Sequence, residues 1–238
     1  MTAAACHWQR MDLATKKHMK ETKSVFFNLK ELQHYHGELA QQLQDETTLV
    51  FQVPKTKQEA MRVIATTPSM QFAFLALTVT LCVRLALAPF GFEDVVTMIG
   101  TKMFWEIQEW VIHAGLFHGS DQDKAIRPFQ IHDRHHALPY FHVIMEPLPM
   151  VAGWYSLAAA IALTAVSMGA PAALVTTWLA SYTASGMGHL TIHFLTHTKL
   201  PLKGWLQDAR THHIQHHLDP TTNFNIAAGS FDRFMKTD

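Results

Sequence analysis

Imidazole is the reactive group that this chain concentrates. Of its 17 histidines, 13 lie from His113 to His217, and all of these but His142 fall into four groups. These are Glu109-Trp-Val-Ile-His113-Ala-Gly-Leu-Phe-His118, His132-Asp-Arg-His135-His136, His189-Leu-Thr-Ile-His193-Phe-Leu-Thr-His197 and His212-His213-Ile-Gln-His216-His217. Positions i, i+3 and i+4 of a helix share a narrow arc, so His132, His135 and His136 converge on one point, as do His213, His216 and His217. His193 and His197, at i and i+4, also share a face. His113 and His118 are five apart and would diverge on a regular helix, which places His118 at the helix end or beyond a local irregularity. Uncharged imidazole is a ligand for zinc, copper, iron and nickel. One His-x-x-His-His is a short motif that arises by accident in a His-rich chain, but two copies, each with spaced His pairs nearby, are poorly explained that way.

The candidate metal ligands are therefore His113, His118, His132, His135, His136, His193, His197, His213, His216 and His217. Ten imidazoles exceed the needs of one ion and point to two metals, with no catalytic group assigned beyond the ligands. Metal-bound imidazoles usually donate their other ring proton to a carboxylate or carbonyl. Glu106, Glu109, Asp133 and Asp208 are the carboxylates placed to accept it, Glu109 standing one turn before His113. His189 continues the stripe of His193 and His197 deeper into an apolar helix, and serves either behind the ligands or in the core. His212 is read with the residues behind the ligands and His142 on the substrate side. His7, His18, His34 and His36 read as solvated surface residues.

The elements that carry these groups are helices, several of them apolar enough for lipid. Residues 71 to 90 form an apolar run with Arg84 as its only charge, about the length that crosses a hydrocarbon core of roughly 30 Å. A second helix from about Val95 to Phe117 carries Lys102, Glu106 and Glu109, which must turn inward or into water. Leu148 to Met168 and Pro171 to about Gly188 contain no Lys, Arg, Asp or Glu and read as a helical hairpin. The expected fold is all-α: an integral membrane protein with about four membrane-embedded helices in two hairpins and a cytoplasmic histidine-rich helical cap. Every Lys and Arg except Arg84 and Lys102 falls outside the spans and their far-side turns, which puts the basic segments and all the histidine groups on the cytoplasmic side.

Other features narrow the function classes. Lys plus Arg and Asp plus Glu both number 19, so no basic footprint for nucleic acid is present. Cys6 and Cys82 lie in unrelated contexts and make neither a disulfide framework nor a thiolate metal site. Residues 1 to about 53 are polar and lack the pattern of a cleaved secretory signal. Leu49 to Val53 reads as a short extended piece, and Thr56-Lys57-Gln58-Glu59 as a capping box that opens a helix ending near Thr67-Pro68. The expected division is an N-terminal cytoplasmic segment with peripheral helices over residues 1–69, followed by a membrane domain over 70–238.

The ordered histidine groups, with an apolar hairpin between the second and third, resemble the integral-membrane fatty acid hydroxylase and sterol desaturase superfamily. Trp105-Glu106-Ile-Gln-Glu109-Trp-Val-Ile-His113-Ala-Gly-Leu-Phe117-His118 is similar to its first histidine box, and Ile131-His132-Asp-Arg-His135-His136-Ala-Leu-Pro139 to its second. Leu49-Val-Phe-Gln-Val53 and the tail Phe231-Asp232-Arg233-Phe234-Met-Lys-Thr237 resemble the opening and closing segments of fatty acid 2-hydroxylases that act on sphingolipid acyl chains. Asn225 stands where that family has glycine, and no His-Pro-Gly-Gly haem segment of a fused cytochrome is present.

The resemblance implies a dinuclear metal site, taken here as two iron ions that zinc can replace, with O2 as co-substrate. It also implies a lipid substrate in a membrane, and an external donor such as a b-type cytochrome or a ferredoxin with its reductase. The expected activity is hydroxylation of a fatty acid or sphingolipid acyl chain at the 2-position. The expected location is a multi-pass position in the endoplasmic reticulum of a eukaryote or the inner membrane of a bacterium. Small residues Gly186 and Gly188 beside the third box are read as admitting the acyl chain. Within the superfamily the alternative is a sterol or other lipid desaturase. Outside it stand a membrane zinc hydrolase, which needs few ligands and an open coordination position, and a metal carrier, whose His pairs would line a crossing path.

Overall fold

The structure, a computed structural model, describes residues 54–119, 132, 135–136, 146–198, 200–227 and 229–238. The extended piece expected at Leu49 to Val53, residues 1–48 before it, Asp133 and His142 lie outside the described residues. Every element among the described residues is helical: α1 (Lys57–Thr66), α2 (Pro68–Leu87), α3 (Phe92–Trp110) continuing into a π-helical segment (Val111–Phe117), α4 (Leu148–Ser167), α5 (Ala172–Thr196), α6 (Trp205–Leu218) and α7 (Ser230–Met235).

Local chemistry explains several boundaries. The capping box opens α1 as the sequence requires: the Glu59 amide donates to Thr56 Oγ1 at 3.1 Å and the Thr56 amide to Glu59 Oε2 at 3.3 Å. Pro68 occupies the first turn of α2, where its missing N–H costs no helical bond. Gly169, with φ +94°, lets the chain reverse between α4 and α5 in a conformation that a side chain would strain.

The described chain separates into two compact units, one formed by residues 61–108 and 145–191, the other by the described parts of residues 54–60, 109–144 and 192–238. In the first, α2 packs against α4. Phe72 meets Tyr155 edge to face, and Thr80 Oγ1 lies 3.2 Å from the Tyr155 hydroxyl. The helices α2 and α4 are each 20 residues long and apolar enough to cross a membrane, yet only 28% and 11% of their most apolar stretches are buried. A core helix of a water-soluble protein would hide that surface. Exposed Phe74, Leu75, Leu85, Leu157, Ile161 and Leu163 instead present hydrocarbon outward, as lipid-facing helices do. Helix α3 carries five charged side chains, although it too exposes Phe92, Ile99 and Met103; α5 carries none.

The single charge of α2 is resolved inside its own unit. Arg84 is buried and pairs with Asp94 of α3, while Thr177 of α5 donates to the same carboxylate and accepts from Arg84 Nε at 2.7 Å. The guanidinium also donates to the Ala88 carbonyl at 2.6 Å and the Pro89 carbonyl at 3.2 Å, at the end of α2. One polar cluster thus pins three helices and the turn between two of them. Arg84→Leu leaves Asp94 buried without its counter-charge and is expected to cost about 3–5 kcal/mol. The paired change Arg84→Met with Asp94→Leu recovers most of it, read as the unfolding midpoint in detergent.

Candidate metal centre

The ten histidines named from sequence gather into two sets of five: His113, His118, His132, His136 and His216 in one, His135, His193, His197, His213 and His217 in the other. Within each set the ligand atoms all lie within 4.8 Å of one another. The triplets are shared between sets, which spacing alone did not show. His135 parts from His132 and His136, and His216 from His213 and His217. Three side chains at i, i+3 and i+4 cover two adjacent points on a helix face, so each triplet serves both sets.

The spacing of five between His113 and His118 is reconciled by the backbone. On an α-helix five residues rotate the side chain by about 140° beyond a full turn. Here α3 passes into a π-helical segment at Val111, and the His118 amide donates to the His113 carbonyl at 3.0 Å, an i to i+5 bond that sets the two residues one turn apart. The expected local irregularity is this segment.

The rings point their Nε2 atoms inward. His118 Nε2 lies 2.9 Å from His132 Nε2 and 3.1 Å from His216 Nε2; His132 Nε2 is 3.2 Å from His113 Nε2, and His216 Nε2 is 3.1 Å from His136 Nε2. In the second set, His193 to His135 is 2.9 Å, His197 to His213 is 2.8 Å and His217 to His213 is 3.1 Å. Nitrogens about 2.0–2.1 Å from one ion stand about 2.9 Å apart at right angles and about 3.4 Å apart at tetrahedral angles. The observed separations match atoms arranged around a common centre. A neutral imidazole offers one proton and one lone pair, so His118, His132 and His216, each with two Nε2 neighbours, cannot be satisfied by ring-to-ring hydrogen bonds alone. The donor set fits a borderline transition metal such as iron or zinc.

Electrostatics keeps the rings in their ligating form. Burial, with His113 as a second cause, pushes His118 down to about 3. Burial also holds His132, His136, His213, His216 and His217 well below the usual imidazole value, and the neighbouring rings push in the same direction. The lone pairs are therefore available at neutral pH.

Backbone carbonyls orient the first set. His113 Nδ1 donates to the Phe224 carbonyl, and His216 Nδ1 to the Thr222 carbonyl at 2.6 Å, which leaves both Nε2 lone pairs for a metal. Phe117 stacks on His132 at 4.6 Å. The residues around these carbonyls are themselves fixed. Glu109 accepts from the Ile226 amide at 2.7 Å, and Asp232 accepts from the Phe224 and Asn225 amides, each at 2.9 Å. Asn225 fits here because Gly229 passes close by, where a Cβ would collide with the Asn225 side chain. His212 donates to Asp232 at 3.1 Å, so it acts behind the loop and not on the metal. Burial opposes the charge on Asp232, but the bonds from His212, Asn225, Thr237 and Phe224 outweigh it and lower its pKa.

The residues read from sequence as supporting the ligands have these surroundings in the structure. Glu109 supports its neighbour His113 through the Ile226 amide, two residues from the carbonyl that orients the ring. Glu106 forms an ion pair with Lys102 at 3.2 Å in the other unit. Asp208 is exposed on the first turn of α6 with no side-chain hydrogen bond among the described residues, because its position points it away from the face that bears His213 and His216. His189 packs edge-on against Trp105 at 5.9 Å. Gly186 gives Trp105 room to approach α5, a Cβ there lying 3.3 Å from the indole, so its small size serves helix packing; Gly188 faces open space. Asp232 and the carbonyls of Thr222 and Phe224 were not read as site groups. Carbonyls leave no mark in residue type, whereas Asp232 stood inside the tail Phe231 to Thr237.

Described elements that are all helical, with two five-histidine sets and two helices apolar enough to cross a membrane among the described residues, fit a membrane metalloprotein. A model of the fatty acid hydroxylase family matches residues 95–237, well over half of the chain, and the chain belongs to that family. Among solved structures, one described as full-length scs7p with only the hydroxylase domain visible has a similar fold, with a TM-score of 0.55 and 21% identity over 71% of this chain. The match spans 64% of that chain. No curated protein matches.

The depressed imidazole pKa values set an acid limit on stability. Below about 6.5 the histidines of the unfolded chain take up protons, whereas folded His118 does not until about 3. The unfolded state then binds more protons, so stability falls as pH falls. Metal-free protein titrated from pH 8 to 5 is expected to show a declining unfolding midpoint that steepens below about pH 6.5; a flat profile would contradict buried neutral rings.

Proposed function

We propose that the protein is a membrane-bound, non-haem di-iron lipid hydroxylase, a monooxygenase acting on the acyl chain of a fatty acid or sphingolipid at the 2-position. The observation that carries this reading is the division of ten buried or half-buried imidazoles into two separate sets of five, in a chain of the fatty acid hydroxylase family. A hydrolytic zinc site is served by about three protein ligands and water. Two complete imidazole sets suit a pair of redox-active ions.

His113, His118, His132, His136 and His216 would hold one ion, and His135, His193, His197, His213 and His217 the other. When bound, the iron pair supplies the oxidising power that no side chain has for an unactivated C–H bond. The balance is one acyl C–H, one O2, two electrons and two protons giving one alcohol and one water. The electrons come from an external donor, either a b-type cytochrome or a ferredoxin with its reductase. The chain's own contribution is to keep the imidazoles neutral, to fix ring orientation through the Thr222 and Phe224 carbonyls, and to present hydrocarbon surface to the bilayer on α2 and α4. The helices α3 and α5 complete the set of membrane-embedded segments in this reading. The compartment is the endoplasmic reticulum of a eukaryote or the inner membrane of a bacterium.

Purified protein loaded with ferrous iron and supplied with a reductase system and 18O-labelled O2 is expected to place one labelled oxygen at carbon 2 of the acyl chain. His216→Ala abolishes the product. Turnover without O2, or an acyl product free of label, would overturn the assignment.

A further inference from the structure

We infer that the two metals are positioned by two separate locks, Asp232 for the His113 set and Arg210 for the His197 set, and that each lock is removable without the other. The inference rests on the two-metal reading above.

Asp232 is fully buried and spends both carboxylate oxygens on one short stretch of chain. Its Oδ1 accepts from the Phe224 amide at 2.9 Å and the Thr237 hydroxyl at 2.8 Å; its Oδ2 accepts from the Asn225 amide at 2.9 Å and His212 Nε2 at 3.1 Å. Trp110 Nε1 donates in turn to Thr237 Oγ1 at 3.1 Å, and its ring lies edge-on to Phe224. The carbonyls of this stretch, Thr222 and Phe224, are the acceptors for His216 and His113. Both histidines belong to the same set of five. A carboxylate that fixes two amides thereby fixes the orientation of two rings, and the rings it fixes serve one ion.

Arg210 is the counterpart on the other set. It is 2% exposed, an unusual place for a guanidinium, and it lies one turn before His213 on α6. It donates to the Leu200 carbonyl at 2.8 Å and to the Leu195 carbonyl at 3.1 Å, with Thr198 Oγ1 at 3.4 Å. Leu195 sits between His193 and His197 at the end of α5, and its carbonyl also accepts from the Thr198 amide at 3.1 Å and the Thr198 hydroxyl at 2.8 Å, so Arg210 joins a helix end already closed by Thr198. The planar fork of the guanidinium spans these acceptors as a lysine could not. Arg210 thus ties the helix that supplies His213 and His217 to the helix end that supplies His193 and His197. All four are members of the second set.

Both residues are positioning residues, since neither is a ligand. Loss of a group that orients a ligand typically lowers metal affinity about 10–100-fold. The test uses the full chain in detergent, titrated with cobalt(II), with metal per chain from elemental analysis, cobalt visible absorption and thermal melting as readouts. Wild type is expected to hold two ions. Asp232→Asn and Arg210→Gln are each expected to hold one tightly, with the second weakened by about 10–100-fold. In the Asp232→Asn background, His118→Ala should remove nothing further, whereas His193→Ala should remove the remaining ion. Thr237→Val takes away one Asp232 bond and is expected to weaken the same ion less, which keeps the test informative if Asp232→Asn does not fold. A folded variant that keeps both ions at wild-type affinity, or that loses both together, overturns the inference. Wild type that holds fewer than two ions overturns the two-metal reading instead, and does so before any lock is altered.

Discussion

Ten imidazoles directed at two points set the terms for the rest of the structure. Bringing Nε2 atoms within about 3 Å of one another is unfavourable unless something positive or a proton lies between them, and protonation is itself opposed by burial. The site therefore needs rings that stay neutral, rings that do not turn away from each other, and a backbone stiff enough to hold them. The π-helical segment at Val111 to Phe117 answers part of the last need. It brings His113 and His118 into one set where an α-helix would have separated them.

The orientation of His113 and His216 is supplied by the main chain. Two carbonyls take the outer protons of His113 and His216, and acidic side chains from distant parts of the sequence, Glu109 and Asp232, hold the amides around those carbonyls. A carboxylate placed directly against each ring would have carried negative charge to the edge of the ligand set. The observed arrangement puts a dipole there and keeps the full charge one layer back. Arg210 handles the other set by donating to the Leu195 and Leu200 carbonyls at and beyond a helix end. In the apolar unit the same rule applies to Arg84, Asp94 and Thr177, which satisfy one another where lipid could not.

Much of this was legible in residue type and spacing. Helices at i, i+3 and i+4 identified ten histidines as a group, and the misfit of His113 with His118 pointed to an irregular helix. The capping box at Thr56 and the apolar runs located α1, α2 and α4. The partition of ligands was not legible, because a triplet on one helix face can serve one ion or straddle two, and only the neighbouring helices decide. The surroundings of the supporting groups were not legible for a related reason. Spacing along one helix put Asp208 near the histidines of α6, but an exposed position on its first turn keeps it in water. The groups that do the work, the Thr222 and Phe224 carbonyls, belong to no residue type, and Asp232 reaches them only through the fold of the C-terminal tail.

The most direct measurement is the density of iron-loaded protein collected at the iron absorption edge. The account predicts two anomalous peaks, each surrounded by the Nε2 atoms of one five-histidine set at about 2.0–2.2 Å, the range seen for imidazole on first-row metals. A single peak shared by both sets, or iron bound away from His113 to His217, would contradict it.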